Sequence, residues 1–194
     1  MLSSKSDIRS AALLRRDAIS EVERIENALA LANHIDALAI EPGQIAAAYW
    51  PIRSEIDPRP LLFALNERGV RSALPIVVDG SLIFRELTRT TELVPAGFGT
   101  FAPGDDTRAV VPDVLLMPLS AFDSDGNRLG YGRGFYDRTI ASLRGQGLDP
   151  RLIGLAHAAQ EADAIPAEAH DIALHAILCE TGLRSISSSM ADLA

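Results

Sequence analysis

Between Arg128 and Arg138 the sequence reads Arg-Leu-Gly-Tyr-Gly-Arg-Gly-Phe-Tyr-Asp-Arg, with glycines at 130, 132 and 134 set among arginines. Those glycines permit positive φ and let backbone N–H groups approach a ligand closely, while the arginines supply forked, permanently charged donors. The apolar run Val114-Leu115-Leu116-Met117 lies upstream, and Phe135-Tyr136, Ile140 and Leu143 lie downstream. The order is therefore strand, glycine loop, helix. An anion held by the loop faces a helix N-terminus, where unpaired N–H groups and the helix dipole favour negative charge. The segment matches neither common nucleotide fingerprint: a dinucleotide site needs glycine where Phe135 stands, and a P-loop needs Gly-Lys-Ser/Thr. Its spacing supports an anion site and leaves the anion open, the alternative being a glycine-rich turn rigidified by Arg–Asp pairs with no ligand.

The rest of the chain fits one α/β domain. Ser4-x-x-Asp7 and Ser20-x-x-Glu23 have the form of capping boxes, and the second opens a helical period at Val22, Ile25, Leu29, Ala32 and Ile35. Two N-terminal helices are expected. Ile45 to Trp50 is a continuous apolar run stopped by Pro51, as in a strand buried on both faces. Pro60 to Arg68 predicts a helix ending at Gly69, Ala73 to Val78 a strand, and Asp79-Gly80 a tight hairpin into Leu82-Ile83-Phe84. Three further apolar runs, Val114 to Leu119, Leu152 to Ala156 and Ala176 to Cys179, complete an alternation of strands and helices. Such alternation predicts a three-layer domain with a mainly parallel sheet flanked by helices, and ligands beyond the carboxyl ends of the strands. Thr88 to Asp113 lacks steady periodicity and is expected to be a lid or ligand wall. The Ser-rich end, about 184–194, is expected to be a frayed tail.

Charge and composition narrow the function. With 194 residues, 47% hydrophobic and 23% charged, the chain is long enough to bury one core. A net charge of −8 argues against a general nucleic-acid or membrane-surface binder, which needs a basic footprint. No apolar stretch reaches the roughly 18 residues that span a bilayer, and the N-terminus has no signal-peptide apolar core, so a cytoplasmic location is expected. Cys179 stands alone in an apolar run and is expected to be a buried, inert thiol. Seventeen arginines accompany a single lysine, Lys5, which suggests that a compact ammonium is needed near the N-terminus.

Other candidates follow from position. Trp50-Pro51-Ile52-Arg53-Ser54-Glu55 lies just past a predicted strand, on the same side as the glycine loop if the sheet is parallel. Trp50 suits stacking on a flat ring and Glu55 suits accepting hydrogen bonds from a heterocycle, although a core tryptophan and a solvated glutamate fit the pair as well. His157, His170 and His175 have no cysteine partner and no His-Glu-x-x-His pattern, which argues against zinc. Asp137 with Asp171 is better suited to magnesium. Asp123-Ser124-Asp125-Gly126-Asn127 lacks the glycine and glutamate positions of a calcium loop and is expected to be a turn. No Gly-x-Ser-x-Gly elbow supports serine chemistry.

These residues together resemble the 5-formyltetrahydrofolate cyclo-ligase family. The resemblance rests on Lys5-Ser6-Asp7-Ile8-Arg9, Tyr49-Trp50-Pro51 with Glu55, Met117-Pro118-x-x-Ala121-Phe122-Asp123-x-x-Gly126-x-Arg128 into the glycine loop, and Gln160, Pro166, Glu168 and His170-Asp171. It implies ATP-dependent closure of 5-formyltetrahydrofolate to 5,10-methenyltetrahydrofolate with magnesium required, by a monomer or homodimer whose partners are small molecules. It further implies that Lys5, Ser6, Asp7, Ile8, Arg9, Arg128, Leu129, Gly130, Tyr131, Gly132, Arg133, Gly134, Phe135 and Tyr136 contact ATP, with Lys5 and Arg133 as the catalytic cations. Trp50, Glu55 and Tyr131 to Phe135 are implied to border the folate, and Asp137 and Asp171 to hold magnesium. Three positions depart from the pattern: Ala102 replaces a glutamate of many relatives, and His157 and His175 stand where an aromatic and an aspartate are expected. The rival readings are a sugar-phosphate or acyl-group enzyme on a similar sheet, and a non-catalytic folate- or nucleotide-binding protein.

Overall fold

The computed structural model describes residues 4–168 and 171–186. Helices α1 (Lys5–Asp17), α2 (Glu21–Asn33) and the short α3 (Ile35–Leu38) lead into strand β1 (Ile45–Ala47). Helix α4 (Arg59–Glu67) precedes the hairpin of β2 (Arg71–Val78) and β3 (Ser81–Leu87). Then come β4 (Leu93–Pro95), β5 (Phe101–Pro103), β6 (Ala109–Val110), β7 (Val114–Pro118), β8 (Ala121–Phe122) and β9 (Arg128–Leu129). Helix α5 (Phe135–Gly145), β10 (Arg151–Leu155), a 3₁₀ turn at Ala158–Gln160, β11 (Ala176–Cys179) and β12 (Gly182–Ser185) complete the chain.

Eight strands form one sheet in the order β12-β11-β10-β7-β1-β2-β3-β6. The central strands from β11 to β2 pair in parallel, and both margins turn antiparallel. Side-chain alternation divides the core in two. Ala46, Val114, Leu116, Ile153, Leu155 and Leu178 face the cluster that α2, α3 and α4 seal with Leu31, Leu38, Leu61 and Leu65. Ala47, Leu115, Met117, Leu152, Ile177 and Cys179 face the opposite cluster with Ile140 of α5 and Phe122 of β8. Cys179 is buried, and burial pushes its thiol up to about 12, so it is an inert core residue.

Local signals explain most elements. Ser4 and Ser20 accept from the backbone N–H groups of Asp7 and Glu23, whose carboxylates accept in return from the serine N–H groups. Asp79 and Gly80 turn β2 into β3 with φ of 48° and 77°, the doubly left-handed backbone that tight hairpins require. The aspartate turn at 123–127 joins β8 to β9 around buried Asp123, whose carboxylate accepts from the N–H groups of Asp125, Asn127 and Ile165.

Several expectations need correction. In α2 the period at Val22, Ile25 and Leu29 marks the exposed face, while Ala28, Leu31 and the following Ile35 are buried. Regular pairing of β1 ends at Ala47 rather than Trp50, because the chain turns away to wall a cavity. Arg184 and Ser185 are not frayed: they pair in β12 against β11, and 187–194 lie outside the described residues. The aperiodic stretch from 88 contains a small hairpin of β4 and β5. No helix among the described residues is long and apolar enough to cross a membrane.

Candidate active site

A cavity of about 1430 Å³ opens where β1, β2 and β7 end. The chain leaves β1 for β2 on one side and later returns to β7 on the other, so adjacent connections diverge here and leave a crevice. One wall is Trp50 to Arg53 with Glu55, the opposite wall is the glycine segment 128–138, and the tip of the β4–β5 hairpin contributes Phe98 and Phe101. Helix α1 adds Lys5 and Arg9. It reaches the site because Ala12 packs on a small cluster with Ala121 and Leu129 of the β8–β9 hairpin, backed by Ile8.

The glycine segment is anchored from several directions. Arg9 Nε donates to the Gly130 carbonyl at 2.7 Å, Arg128 Nη2 donates to Asp137 Oδ1 at 2.6 Å, and Arg138 donates to the Gly80 carbonyl from Nε at 2.9 Å and Nη2 at 2.7 Å. Gly132 and Gly134 adopt φ of 87° and 65°, and Gly134 is the N-cap of α5. No side chain caps that end, and Gly134 to Asp137 line the cavity, so an anion bound there can accept from the uncapped first-turn N–H groups of α5. The Arg133 guanidinium lies over the Phe98 ring, 4.6 Å from its centre. Arg53 and Phe98 hold left-handed backbone at φ of 54° and 52°, a conformation that costs a non-glycine residue about 1–2 kcal/mol. Both of these strained residues line the cavity.

Three carboxylates at the edge are paired with cations. Lys5 Nζ stands 2.5 Å from Asp171 Oδ2 and 3.4 Å from Glu168 Oε1, and the hydrogen bond it donates to Asp171 raises the lysine pKa. Asp137 is held by Arg128. Among the described residues no group of three or more His, Cys, Asp or Glu side chains is arranged to hold a metal ion.

On the other wall, Glu55 is only 8% exposed and accepts from the Ile52 N–H at 2.9 Å. Burial pushes its carboxyl above the ordinary range, opposed by the Ile52 bond, the Arg16 charge and the Tyr131 hydroxyl. It is not a solvated glutamate. Trp50 sits at the rim between the Arg59 guanidinium, 5.0 Å from its ring centre, and the tilted ring of Phe101 at 5.4 Å.

A cationic glycine loop opposite an aromatic and a buried carboxylate is the arrangement that the resemblance implied, and the model of the 5-formyltetrahydrofolate cyclo-ligase family matches residues 1–180. The chain belongs to this family. The cyclo-ligase of Escherichia coli K12 is 37% identical over 139 residues, covering 68% of this chain and 75% of that one. The cyclo-ligase of Mycolicibacterium smegmatis is 36% identical over 184 residues, covering 90% and 93%. Among solved structures, the 5,10-methenyltetrahydrofolate synthetase of Aquifex aeolicus aligns with a TM-score of 0.75 and 27% identity, over 96% of this chain and 95% of its own.

Of the residues singled out from the family resemblance, Lys5, Arg9, Trp50, Glu55, Arg128 through Asp137 and Asp171 all line the one cavity. Ser6, Asp7 and Ile8 do not: Asp7 caps α1 at Ser4, and Ile8 packs under the helix. His170 lies outside the described residues. The departures from the cyclo-ligase pattern are structural positions, buried at Ala102 and His157 and half-buried at His175. Ala102 is 1% exposed in β5, His157 Nδ1 lies 3.0 Å from the Asn27 amide, and His175 Nδ1 accepts the Leu152 N–H at 2.8 Å. Burial lowers the pKa of both histidines. Sequence reasoning passed over Phe98, Phe101 and buried Arg16. A signal for Arg16 was present, since Lys5, Arg9, Ala12 and Arg16 share one helical face.

Proposed function

We propose that this cyclo-ligase closes 5-formyltetrahydrofolate to 5,10-methenyltetrahydrofolate by first phosphorylating the formyl oxygen. An amide oxygen is a poor leaving group. Its attack on the γ-phosphorus of ATP releases ADP and leaves a phosphorylated imidate, whose carbon is electrophilic. The neighbouring folate nitrogen attacks that carbon and loses its proton, and the oxygen departs as phosphate. Such chemistry asks for positioning and charge neutralisation more than for a covalent nucleophile.

The observation that carries this reading is the shared cavity. At about 1430 Å³ it exceeds the roughly 300–1,000 Å³ typical of a site for one small ligand, and its two walls differ in chemistry. Lys5, Arg9, Arg128, Arg133 and the first turn of α5 suit the triphosphate. Trp50 suits stacking on the pterin, and the Glu55 carboxylate suits accepting its N–H donors. Lys5 and Arg133 neutralise the transferring phosphoryl group. Asp137 and Asp171 both border the phosphate side and, once exchanged from Arg128 and Lys5, would hold a magnesium ion together with phosphate oxygens, since such an ion commonly takes one or two carboxylates. When bound, it neutralises phosphate charge.

Mixing the protein with Mg-ATP and 5-formyltetrahydrofolate is expected to raise methenyl-folate absorbance with stoichiometric ADP. Binding of both compounds without ADP release would favour a non-catalytic folate or nucleotide binder, and turnover of another phosphorylated substrate without ATP would favour the sugar-phosphate reading.

A further inference from the structure

Arg16 is 1% exposed, the largest of the fully buried side chains, and lies in the last turn of α1. Its Nε donates to Ser54 Oγ at 2.9 Å and its Nη2 to the Tyr131 hydroxyl at 3.2 Å, and the Ser54 hydroxyl in turn donates a hydrogen bond to the Asp17 carboxylate. Its Nη1 is buried with no hydrogen-bond partner among the described residues. A buried guanidinium with an unmade bond is a poor stability device, because an apolar side chain of similar volume avoids the desolvation cost. What the guanidinium does provide is a bridge. Ser54 lies in the Trp50–Glu55 segment just behind the cavity wall, and Tyr131 stands between the loop's first two glycines, so the bridge adds a tie to that wall which the anchors at Gly130, Asp137 and Gly80 do not supply.

We propose that Arg16 is a positioning residue which, by holding Ser54 and the Tyr131 hydroxyl together, fixes the glycine loop to the folate wall so that filling either subsite organises the other. The assignment of the two subsites rests on the function proposed above. The same charge opposes the burial that raises the pKa of both Glu55 and Tyr131, as its contacts with Ser54 and Tyr131 at the meeting of the two walls require. Thermodynamic linkage then makes the coupling reciprocal: the folate tightens the nucleotide by the same factor as the nucleotide tightens the folate.

Trp50 is the chain's single tryptophan and borders the cavity, so its fluorescence reports binding without turnover. The affinity of a non-hydrolysable ATP analogue is measured with and without saturating 5-formyltetrahydrofolate, for the wild type, Arg16→Met, Arg16→Lys, Tyr131→Phe and the Met–Phe double variant, alongside melting temperature. The wild type is expected to show coupling of roughly fivefold or more. Arg16→Met and Tyr131→Phe are expected to bring the coupling factor close to one with little loss of melting temperature. Arg16→Lys restores the charge but not the fork and is expected to recover little coupling, and the double variant should lose no more than either single one. The Tyr131 hydroxyl also bonds Glu55. Ser54→Ala, which cuts the other end of the bridge and leaves that contact in place, is therefore measured as well and decides the matter if Arg16→Met fails to fold: lost coupling supports the bridge and wild-type coupling overturns it. The proposal is overturned if the wild type shows no coupling, if coupling survives Tyr131→Phe, or if the variants lose both affinities equally along with stability. A wild type that couples the two ligands but forms no methenyl-folate would instead defeat the proposed reaction and leave the role of Arg16 standing.

Discussion

The Arg9 Nε donates to the Gly130 carbonyl at 2.7 Å, joining residues 121 apart in sequence. The bond ties α1 to the glycine loop, and it leaves the rest of the Arg9 guanidinium at the cavity wall. Arg9→Met keeps the aliphatic stem and removes both the anchor and the charge. A hydrogen bond to a charged group is worth about 1.5–3 kcal/mol, so the KM for ATP is expected to rise roughly 10- to 150-fold. Melting temperature should change little, because the stem still packs. Steady-state kinetics with each substrate varied in turn checks this, and an unchanged KM for ATP would remove Arg9 from the nucleotide site.

Lys5 stands between Asp171 and Glu168 and is the only lysine in the chain. An ammonium is a compact charge with three rotatable donors, whereas a guanidinium is a wide planar fork. Lys5→Arg therefore preserves charge and alters reach. If the ammonium must pass from these carboxylates to a phosphate oxygen, kcat is expected to fall by roughly tenfold or more, the cost of one misplaced charge-assisted contact. Wild-type kcat in Lys5→Arg would show that only the charge matters.

Arg133 and Phe98 meet across the cavity mouth, and the two contributions are separable. Arg133→Ala removes a phosphate contact worth about 1.5–3 kcal/mol. Phe98→Ala removes only a cation–π contact at an exposed position, worth about 0.5–1 kcal/mol. Turnover with 5-formyltetrahydrofolate is expected to drop by roughly 10- to 150-fold in the first variant and by no more than about fivefold in the second. The reverse ranking would make Phe98, rather than Arg133, the more important group at the mouth.

The sequence made the site more legible than the packing around it. Apolar runs marked β7, β10 and β11, glycines and flanking hydrophobics marked the loop and α5, and the serines at 4 and 20 marked the helix starts, because each of these signals is local. The buried face of α2 was not readable in this way. Val22, Ile25 and Leu29 keep helical spacing but face solvent, while Ala28 and Leu31 face inward, since which stripe is covered depends on where α4 and the sheet lie. Asp123 read as a turn residue, yet its carboxylate is buried because the N–H of Ile165, 42 positions away, supplies a donor. The pairing of Lys5 with Asp171 and of Arg128 with Asp137 likewise depends on contacts no spacing rule contains.

Glu55 links function and stability with opposite signs. Its carboxyl titrates above its ordinary range in the folded protein, chiefly because burial disfavours the charged form. Above the ordinary carboxyl range the unfolded chain has already lost this proton, while the folded chain resists losing it. The folded state therefore binds more protons, and stability falls as pH rises from the unfolded pKa through the folded one. Replacing the group with a neutral amide removes that penalty. Glu55→Gln is thus expected to melt at a higher temperature than the wild type at pH 7–8, with the gain vanishing once pH drops below about 4, where the carboxyl is protonated in both states. The same variant replaces the charged two-oxygen acceptor proposed for the pterin with a neutral amide that has one acceptor oxygen, and its KM for 5-formyltetrahydrofolate is expected to rise roughly tenfold or more. Melting curves across pH, paired with kinetics, test both signs at once. A Glu55→Gln protein that is less stable at neutral pH would mean that the Ile52 N–H, Arg16 and Tyr131 outweigh desolvation, and unchanged folate kinetics would take Glu55 out of substrate recognition.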